Sequence, residues 1–378
     1  MPYNLRLISL CLLILFLNMQ AKGMHDMGSP VRLVMIGLSH GHSHWIFQKQ
    51  FEGNFELVGV YESNIQLIQE FKERYKLDDA IFYSEMDVML DHLQPDGALA
   101  FGPISDHLHV VRSCAPRGIH VMVEKPLAFS MAQAQEMEQL AKTHQIHLLT
   151  NFETSWYPTT DAVVHYVKDN ESKLGQLRKA VFHHGHKGPK EIGVGPEFLK
   201  WLTDPEKNGA GALIDFGCYG ANIMTTLMQG EIPISVMAIT QNHKPELYPF
   251  VDDEATILVE YKEAQAIIQA SWNWTFDRKD MEVYGSKGYC IAEDSQNLKT
   301  RFYGEESETL TLISKEDTGT QVNPFEYFAA VIKGTLNMGD YGLYSLENNL
   351  LVVEILSAAI ESAKTGKRIY LSQKNERL

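Results

Sequence analysis

Between residues 31 and about 150, short apolar runs alternate with stretches of helical periodicity, and this alternation constrains the fold more than any other feature of the chain. The runs are Val31–Gly37, Phe55–Glu62, Ala80–Tyr83, Gly97–Pro103, His120–Glu124 and His147–Asn151. Between them, Ile65, Ile68, Phe71 and Tyr75 share one helical face, and Ser130-Met131-Ala132-Gln133 reads as a capping box opening a helix through Met137 and Leu140. Near-continuous apolar strands must be covered on both faces, and parallel neighbours need a crossover between them. The pattern predicts a doubly wound parallel α/β domain over 31–152.

After about residue 155 helical patterns persist near 158–169 and 196–226, and then strands follow one another across short turns. They are expected at Ile234–Gln241, Glu254–Tyr261, Ala264–Asn273, Met281–Glu293, Thr300–Tyr303 and Thr309–Ser314. Period-two alternation in Ala255–Tyr261 suits a sheet with one covered face. Residues 153–344 are therefore expected to form an α+β domain with a large, mainly antiparallel open sheet. Asn323-Pro324-Phe325-Glu326 places an N-cap, a first-turn proline and a capping-box acid in order, with Gly334 as the stop. A last helix from Ser345 to Thr365 ends at Gly366, and with a final strand it forms a closing segment, 345–371, expected to pack back on the first domain.

The balance of 33 basic to 48 acidic residues, −15 overall, disfavours nucleic acid and anionic membrane surfaces as partners. Cys11, Cys114, Cys218 and Cys290 form no CxxC pair and no zinc-finger spacing. Arg6 precedes an apolar run from Leu7 to Leu17, and Ala21-Lys22-Gly23 offers small residues for cleavage before Met24. Eleven residues are too few to span a bilayer but suit a signal peptide, 1–23, with an uncleaved anchor as the alternative. Cleavage would take the charge from −15 to −17 and leave no stable membrane insertion. Periplasmic export is the expectation.

The chemistry concentrates at strand ends. The first strand runs into Gly37-Leu38-Ser39-His40-Gly41-His42, where a Rossmann-like fingerprint would have glycine at 37, 39 and 42. Only Gly37 fits and Gly41 is displaced by one, yet the position, strand then tight turn then helix, suits a pyrophosphate. Ser39 and His42 add bulk where backbone would approach phosphate. Glu62 ends the second strand, where a carboxylate accepts from ribose hydroxyls and repels a 2′-phosphate, favouring NAD over NADP. His40, His42 and His44, like His183, His184 and His186, alternate as metal ligands can, but no carboxylate nearby in sequence completes a set, and no metal is expected.

Glu124-Lys125-Pro126 ends the fifth strand, and Pro103 and His107 follow the fourth. Gly209-Ala-Gly-Ala-Leu-Ile-Asp215-Phe-Gly217-Cys-Tyr219-Gly-Ala-Asn222 forms a glycine-rich turn and helix in the second half. Together these segments resemble the glucose–fructose oxidoreductase / inositol dehydrogenase / MocA family over about 31–371. The resemblance implies a Rossmann-like NAD-binding domain with Gly37, Ser39, His40, Gly41, His42, Glu62, Pro103, His107, Glu124 and Lys125 at the cofactor. It implies a catalytic group of Lys125, Asp215 and Tyr219, although the family usually has His at position 219 and often Asp at 222. Asp215, Tyr219 and Asn222 project from one helix face by spacing. Partial desolvation is expected to lower the Lys125 pKa, and Tyr219 makes a base only if Lys125 lowers its own. Tyr219 as a packing residue is the competing reading.

His184 and His186 are candidate substrate contacts or solvated loop residues, and Trp201 is a candidate sugar platform or a core residue. Asn222 completes the substrate set. The expected substrate is a carbohydrate or cyclitol, the expected cofactor NAD, and the expected assembly a homo-oligomer. Free dinucleotide is scarce outside the cytoplasm, so an exported enzyme should hold its cofactor tightly. A redox-neutral NAD-dependent glycoside hydrolase, working by oxidation, elimination, hydration and reduction, is the alternative.

Overall fold

Each of the six apolar runs contributes a strand to one parallel sheet: β1 (Val31–Ile36), β2 (Phe55–Tyr61), β3 (Phe82–Tyr83), β4 (Gly97–Ala100), β5 (His120–Glu124) and β6 (Leu148–Asn151). The computed structural model describes residues 28–169, 173–318 and 323–371. Strand order is β3-β2-β1-β4-β5-β6 with every pair parallel. The order reverses between β1 and β4, so a crevice opens there at the carboxyl ends of the strands. Strands β4 and β6 are buried at every position, as double coverage requires. Met89, Val111 and Met137 pack one face, and Phe51, Phe71, Phe325 and Phe328 pack the other.

Two of those side chains correct the expected domain boundary. Phe325 and Phe328 lie on the Pro324–Ile332 helix, which is capped by Asn323 as its sequence predicts. Their apolar face meets Leu33, Met35 and Leu99 of the first sheet rather than the second domain. Nothing in the helix's own periodicity says which sheet it will cover.

The second sheet has nine strands in the order β14-β13-β12-β11-β7-β10-β9-β8-β15. They are β7 (Leu177–Gly185), β8 (Ser235–Gln241), β9 (Glu254–Glu260), β10 (Gln265–Ser271), β11 (Arg278–Gly285), β12 (Gly288–Ala292), β13 (Asn297–Phe302), β14 (Thr309–Leu312) and β15 (Ile369–Tyr370). All neighbours are antiparallel except β7 and β10. The single strand expected from Met281 to Glu293 is a hairpin, with Tyr284 facing Tyr289. Gly285-Ser286-Lys287-Gly288 is the turn between them, a punctuation signal that the flanking apolar alternation obscures.

The closing helix, Leu346–Thr365, begins at a Ser345 cap and stops at Gly366. It belongs to both domains: Leu346 and Val353 enter the core of the first, and Val352, Ile355, Leu356 and Ala359 that of the second. Burial of each large aliphatic side chain is worth about 1.5–3 kcal/mol, so this one helix ties the domains firmly. The final strand β15 pairs with β8 at the edge of the second sheet, not with the first domain as expected. Among the described residues no helix is long and apolar enough to cross a membrane. The expected leader, 1–23, lies outside the described residues.

Candidate active site

Two cavities meet at the carboxyl edge of the first sheet. The larger, a cleft of about 440 Å³, sits at the strand-order reversal and is lined by Gly37, Ser39, Glu62, Gly102, Pro103 and His107 among others. Gly37 takes φ +84°, and a Cβ there would lie 2.8 Å from the Gly102 amide nitrogen. Only glycine permits β1 to turn this closely past the end of β4. Both oxygens of Glu62 already accept backbone amides, from Leu38 and Asn64, each at 2.8 Å. Each carboxylate oxygen has a second acceptor site, so Glu62 can still receive ribose hydroxyls. Lys200 and Lys207 reach the cleft from the second domain, but Glu62, Asp106, Glu197 and Asp204 outnumber them.

The glycine turn itself differs from expectation. Residues Gly41–Phe47 form a 3-10 turn, not an α-helix. The amides of Leu38, His40, His42 and Ser43 donate within the protein, to Glu62, Phe101, the His40 ring and the His40 carbonyl respectively. A helix-dipole phosphate site of the usual kind is therefore not built here. Position 41 does not require glycine on steric grounds: a Cβ there would have the Phe198 ring as its nearest neighbour, at 3.7 Å. Even so, the tight passage at Gly37 and the carboxylate at Glu62 fit the adenosine half of a dinucleotide.

The second cavity is lined by His40, His42, Lys125, His186, Phe198, Asp215, Tyr219 and Lys279, with other residues of the second domain. Lys125 follows β5, and Asp215 comes from the glycine-rich segment ninety residues on. The Lys125 Nζ donates to Asp215 Oδ1 at 2.5 Å and to the Asp215 carbonyl at 2.8 Å. The indole of Trp272 donates to Asp215 Oδ2 at 3.0 Å. Burial pulls the Lys125 ammonium down, but Asp215 and then Cys218 and Glu124 more than reverse that, leaving its pKa raised. This corrects the expected lowering. Asp215, for which burial is opposed chiefly by Lys125, is held below its ordinary value, so the pair is ionic.

Tyr219 lies on the Gly217–Leu227 helix, with the ammonium groups of Lys125 and Lys279 5.0 and 5.4 Å from its ring centroid. Burial, then Glu153, pushes its pKa well above 10, so Lys125 does not convert it into a base. Neutral Tyr219 offers a hydroxyl. Lys279 on β11, which no sequence pattern singles out, pairs with Glu153. Its signal was hidden because strand β11 is 126 residues away from that partner.

The remaining candidates separate. His186 faces the cavity, and its Nδ1 accepts from the Gly188 amide at 3.0 Å, which leaves the proton on Nε2. His184 is buried edge-on to the Tyr219 ring at 5.5 Å, and burial, then Lys279, drives its pKa down to about 3. It is not a lining residue; it backs Tyr219. Asn222 is not a substrate contact either. It is fully buried and donates to the Leu343 carbonyl at 2.8 Å and to Asn349 at 3.3 Å, stitching its helix to the closing helix. Spacing put Asn222 on the Asp215–Tyr219 face, but it lies beyond the cavity, where the two helices pack. Trp201 lines the nucleotide cleft, not the catalytic cavity; its Nε1 donates to Ser39 Oγ at 3.1 Å. With His40 stacked on it at 5.9 Å and Phe198 at 4.9 Å, it forms the wall where the cavities meet.

His40 and His42 line the second cavity. Their carboxylate partner comes from β5: Glu124 Oε2 lies 3.0 Å from His42 Nδ1 and 4.0 Å from His40 Nε2. The expectation that no acid accompanies these histidines is thus corrected, because parallel pairing aligns the ends of β1 and β5 although the sequence separates them. Asn151 Nδ2 donates to the other Glu124 oxygen at 2.7 Å. Burial opposes ionisation of Glu124, yet His42, His40 and these hydrogen bonds bring its pKa down to about 2.

Comparison with known proteins agrees with this architecture. Residues 31–152 match the oxidoreductase family with an NAD-binding Rossmann fold, and residues 170–291 match the GFO/IDH/MocA C-terminal domain. A trans-1,2-dihydrobenzene-1,2-diol dehydrogenase of Xenopus tropicalis is 27% identical over 265 residues, covering 68% of this chain and 74% of the relative. A D-xylose 1-dehydrogenase [NADP(+)] of Haloarcula marismortui is 22% identical, covering 91% and 94%. The structure of an inositol dehydrogenase homologue of Azotobacter vinelandii complexed with NAD+ superposes with a TM-score of 0.77 at 17% identity, covering 92% of this chain and 99% of that one.

Proposed function

The chain belongs to the glucose–fructose oxidoreductase / inositol dehydrogenase / MocA family of NAD(P)-dependent oxidoreductases, and from that premise we propose that it transfers hydride between NAD and a hydroxyl-bearing carbon of a sugar, cyclitol or glycoside. The observation that carries this reading is the buried Lys125–Asp215 pair facing a cavity that opens beside the Glu62 cleft. When bound, the nicotinamide supplies hydride chemistry that no side chain possesses.

The protein's part is to hold the substrate oxygen and manage its proton. Lys125 rests as an ammonium fixed by two hydrogen bonds to Asp215, with its third donor free to take a substrate oxygen. In the reducing direction that ammonium gives its proton to the developing alkoxide and regains one from solvent. Oxidation needs Lys125 unprotonated when the hydroxyl arrives, so rising pH favours it. The Tyr219 hydroxyl and the His186 Nε2–H add neutral contacts. Acid–base assistance of this kind is worth about 10²–10⁴-fold.

Glu62, in a cleft where carboxylates outnumber ammonium groups, supports NAD over NADP. The Trp201–Ser39 bond, which joins the two domains across the lining of the Glu62 cleft, supports slow cofactor release. The leader-like segment before Met24 supports export to the periplasm, where a retained cofactor is most useful. Met237, Ile239 and Leu258, exposed on the open face of the second sheet, support a homo-oligomer.

One set of assays tests the reading. Nucleotide released from the purified protein is identified, and the protein is offered NAD with free sugars, cyclitols and nitrophenyl glycosides. NADH formation is expected. Nitrophenol release without net NADH would replace the dehydrogenase with the redox-neutral hydrolase, and absence of saturable NAD binding overturns both. An intact mass that retains residues 1–23 after expression in a secreting host overturns the cleaved periplasmic form.

A further inference from the structure

Oxidation of a carbinol needs a group that takes the hydroxyl proton, and most side chains around the Lys125 cavity have only protons to give. Lys125 rests as an ammonium with a raised pKa, and burial above all keeps Tyr219 in its neutral, protonated form. His186 accepts the Gly188 amide on Nδ1, so its Nε2 carries the ring proton. His40 does the same: Nδ1 accepts the His42 amide at 3.0 Å, and Nε2 keeps the proton. Lys279 donates to Glu153. The Asp215 oxygens already receive Lys125 and the Trp272 indole, and its lowered pKa makes it a weak base.

His42 is the exception. Its Nδ1 lies 3.0 Å from Glu124 Oε2. Against the effect of burial, His42, His40 and Asn151 bring the Glu124 pKa down to about 2, so this carboxylate only accepts. The proton between them therefore sits on His42 Nδ1, and the neutral ring presents the lone pair of Nε2. His42 lines the cavity with Lys125, its side chain 17% exposed, and among the described residues no group donates to Nε2. The ring is also held in place. Asn151 Nδ2 donates to the other Glu124 oxygen at 2.7 Å, the Trp45 ring stacks on His42 with centroids 3.4 Å apart, and His40 meets it edge-on at 4.5 Å. A carboxylate on one imidazole nitrogen fixes the tautomer and stabilises the imidazolium that forms when the other nitrogen takes a proton.

On the oxidoreductase reading above, on which this step rests, we infer that His42, positioned by Glu124, is a general base that takes the substrate's hydroxyl proton. The hydroxyl oxygen accepts from the Lys125 ammonium while its O–H donates to His42 Nε2. As the carbinol carbon gives its hydride to NAD, the O–H bond breaks, its electrons form the C=O bond, and the proton passes to Nε2 and then to solvent. Lys125 stays an ammonium along this route, which therefore runs at pH values where Lys125 itself cannot accept. The titratable and charged groups that face the His42 ring are His40 on its own segment, Glu124 at the end of β5 and Glu153 after β6. Lys125, Asp215, His186, Tyr219 and Lys279 line the same cavity.

Two readouts test this role. In full-length protein labelled with ¹⁵N-histidine, with and without NAD, NMR reads which nitrogen of His42 carries the proton, its signal being assigned by its loss in His42→Gln. The Nδ1–H tautomer is expected, with a downfield N–H resonance that Glu124→Gln removes. A neutral His42 protonated on Nε2 overturns the inference, whatever the variants do. The second readout is the pH profile of NADH formation with the sugars, cyclitols and nitrophenyl glycosides offered above. The wild-type oxidation rate should rise through the imidazole range, about pH 5–8, and again on the alkaline side as Lys125 begins to accept. His42→Gln should lose the first rise and keep the second, so that the rate falls about 10²–10⁴-fold at neutral pH and the deficit narrows as pH increases. Glu124→Gln, which leaves Nε2 in place but frees the ring, should fall between the two. NADH formation by His42→Gln with the wild-type pH profile overturns the inference and leaves the oxidoreductase reading standing. No NADH with any compound overturns that reading, and the base with it.

Discussion

The cleft at Glu62 and the cavity at Lys125 open off the ends of the same parallel sheet, yet they are built differently. The cleft is shaped by backbone: a left-handed glycine, a close pass between β1 and β4, and a carboxylate that braces two amides. Those backbone parts all come from the first domain, although Lys200, Trp201 and Lys207 reach the cleft from the second. The cavity is made of charge, with Lys125 paired to Asp215 and Lys279 to Glu153, each pair joining segments far apart in the chain. The first arrangement recognises a ligand by shape at little electrostatic cost. The second keeps charges desolvated where bonds change, which makes each partner indispensable to the other.

That contrast is most exposed to a single substitution in the cavity. Lys125→Met leaves Asp215 buried with only Trp272 beside it and should cost about 3–5 kcal/mol in urea unfolding, whereas adding Asp215→Asn should restore most of the loss. If the single variant is no less stable than the double, the pair is not the preorganised unit described here. Turnover should fall about 10²–10⁴-fold in both, since the proton donor is gone.

A backbone substitution in the cleft should cost less. Gly37→Ala forces a side chain into φ +84° against the Gly102 backbone, for about 2–3 kcal/mol by the same unfolding measurement. NAD affinity should fall with it, and unchanged stability would mean that the turn relaxes easily. Glu62→Ser removes the ribose acceptor together with the acceptor of two backbone amides. It should narrow the NAD-over-NADP preference about 10-fold, or about 1.4 kcal/mol, as read by competitive binding, with Lys125 chemistry intact.

The smallest effects are in pH dependence. The raised Lys125 pKa places the rise of the oxidation rate on the alkaline side, and Asp215→Asn should move that rise toward lower pH, because the strongest opposition to burial is then gone. Glu153, which burial would push up but Lys279, His42 and Tyr157 bring down to about 2, contributes stability above the unfolded carboxylate value of about 4.5. That contribution should fade as pH falls from about 4.5 toward 2, and Glu153→Gln should flatten the acid limb of the stability curve.

The first sheet was legible because each strand carries its own evidence in a short apolar run, and helix caps such as Asn323 and Ser345 declare themselves locally. The charged centre was legible in part. Lys125 and Asp215 stood in recognisable motifs, but the size and sign of the Lys125 shift depended on their separation of 2.5 Å. Lys279 was invisible, since no local pattern distinguishes a strand lysine that faces solvent from one that faces a cavity. Asn222 misled for the converse reason: helical spacing tells which residues share a face, not how far along that face the cavity ends.

By itself, then, the sequence determined the alternation of strands and helices, the glycine turn after β1, the strand-end Lys125 and the acidic balance of the chain. These are decided by neighbours a few residues apart, through side-chain periodicity and backbone sterics. Tertiary structure alone decided that the Pro324–Ile332 helix covers the first sheet, that β15 closes the second, that Trp201 bonds Ser39, and that Glu124 pairs with His42. Each of these joins groups far apart in the chain, and such a pairing is settled only when whole faces compete for burial and each buried charge takes the partner the packing leaves within reach.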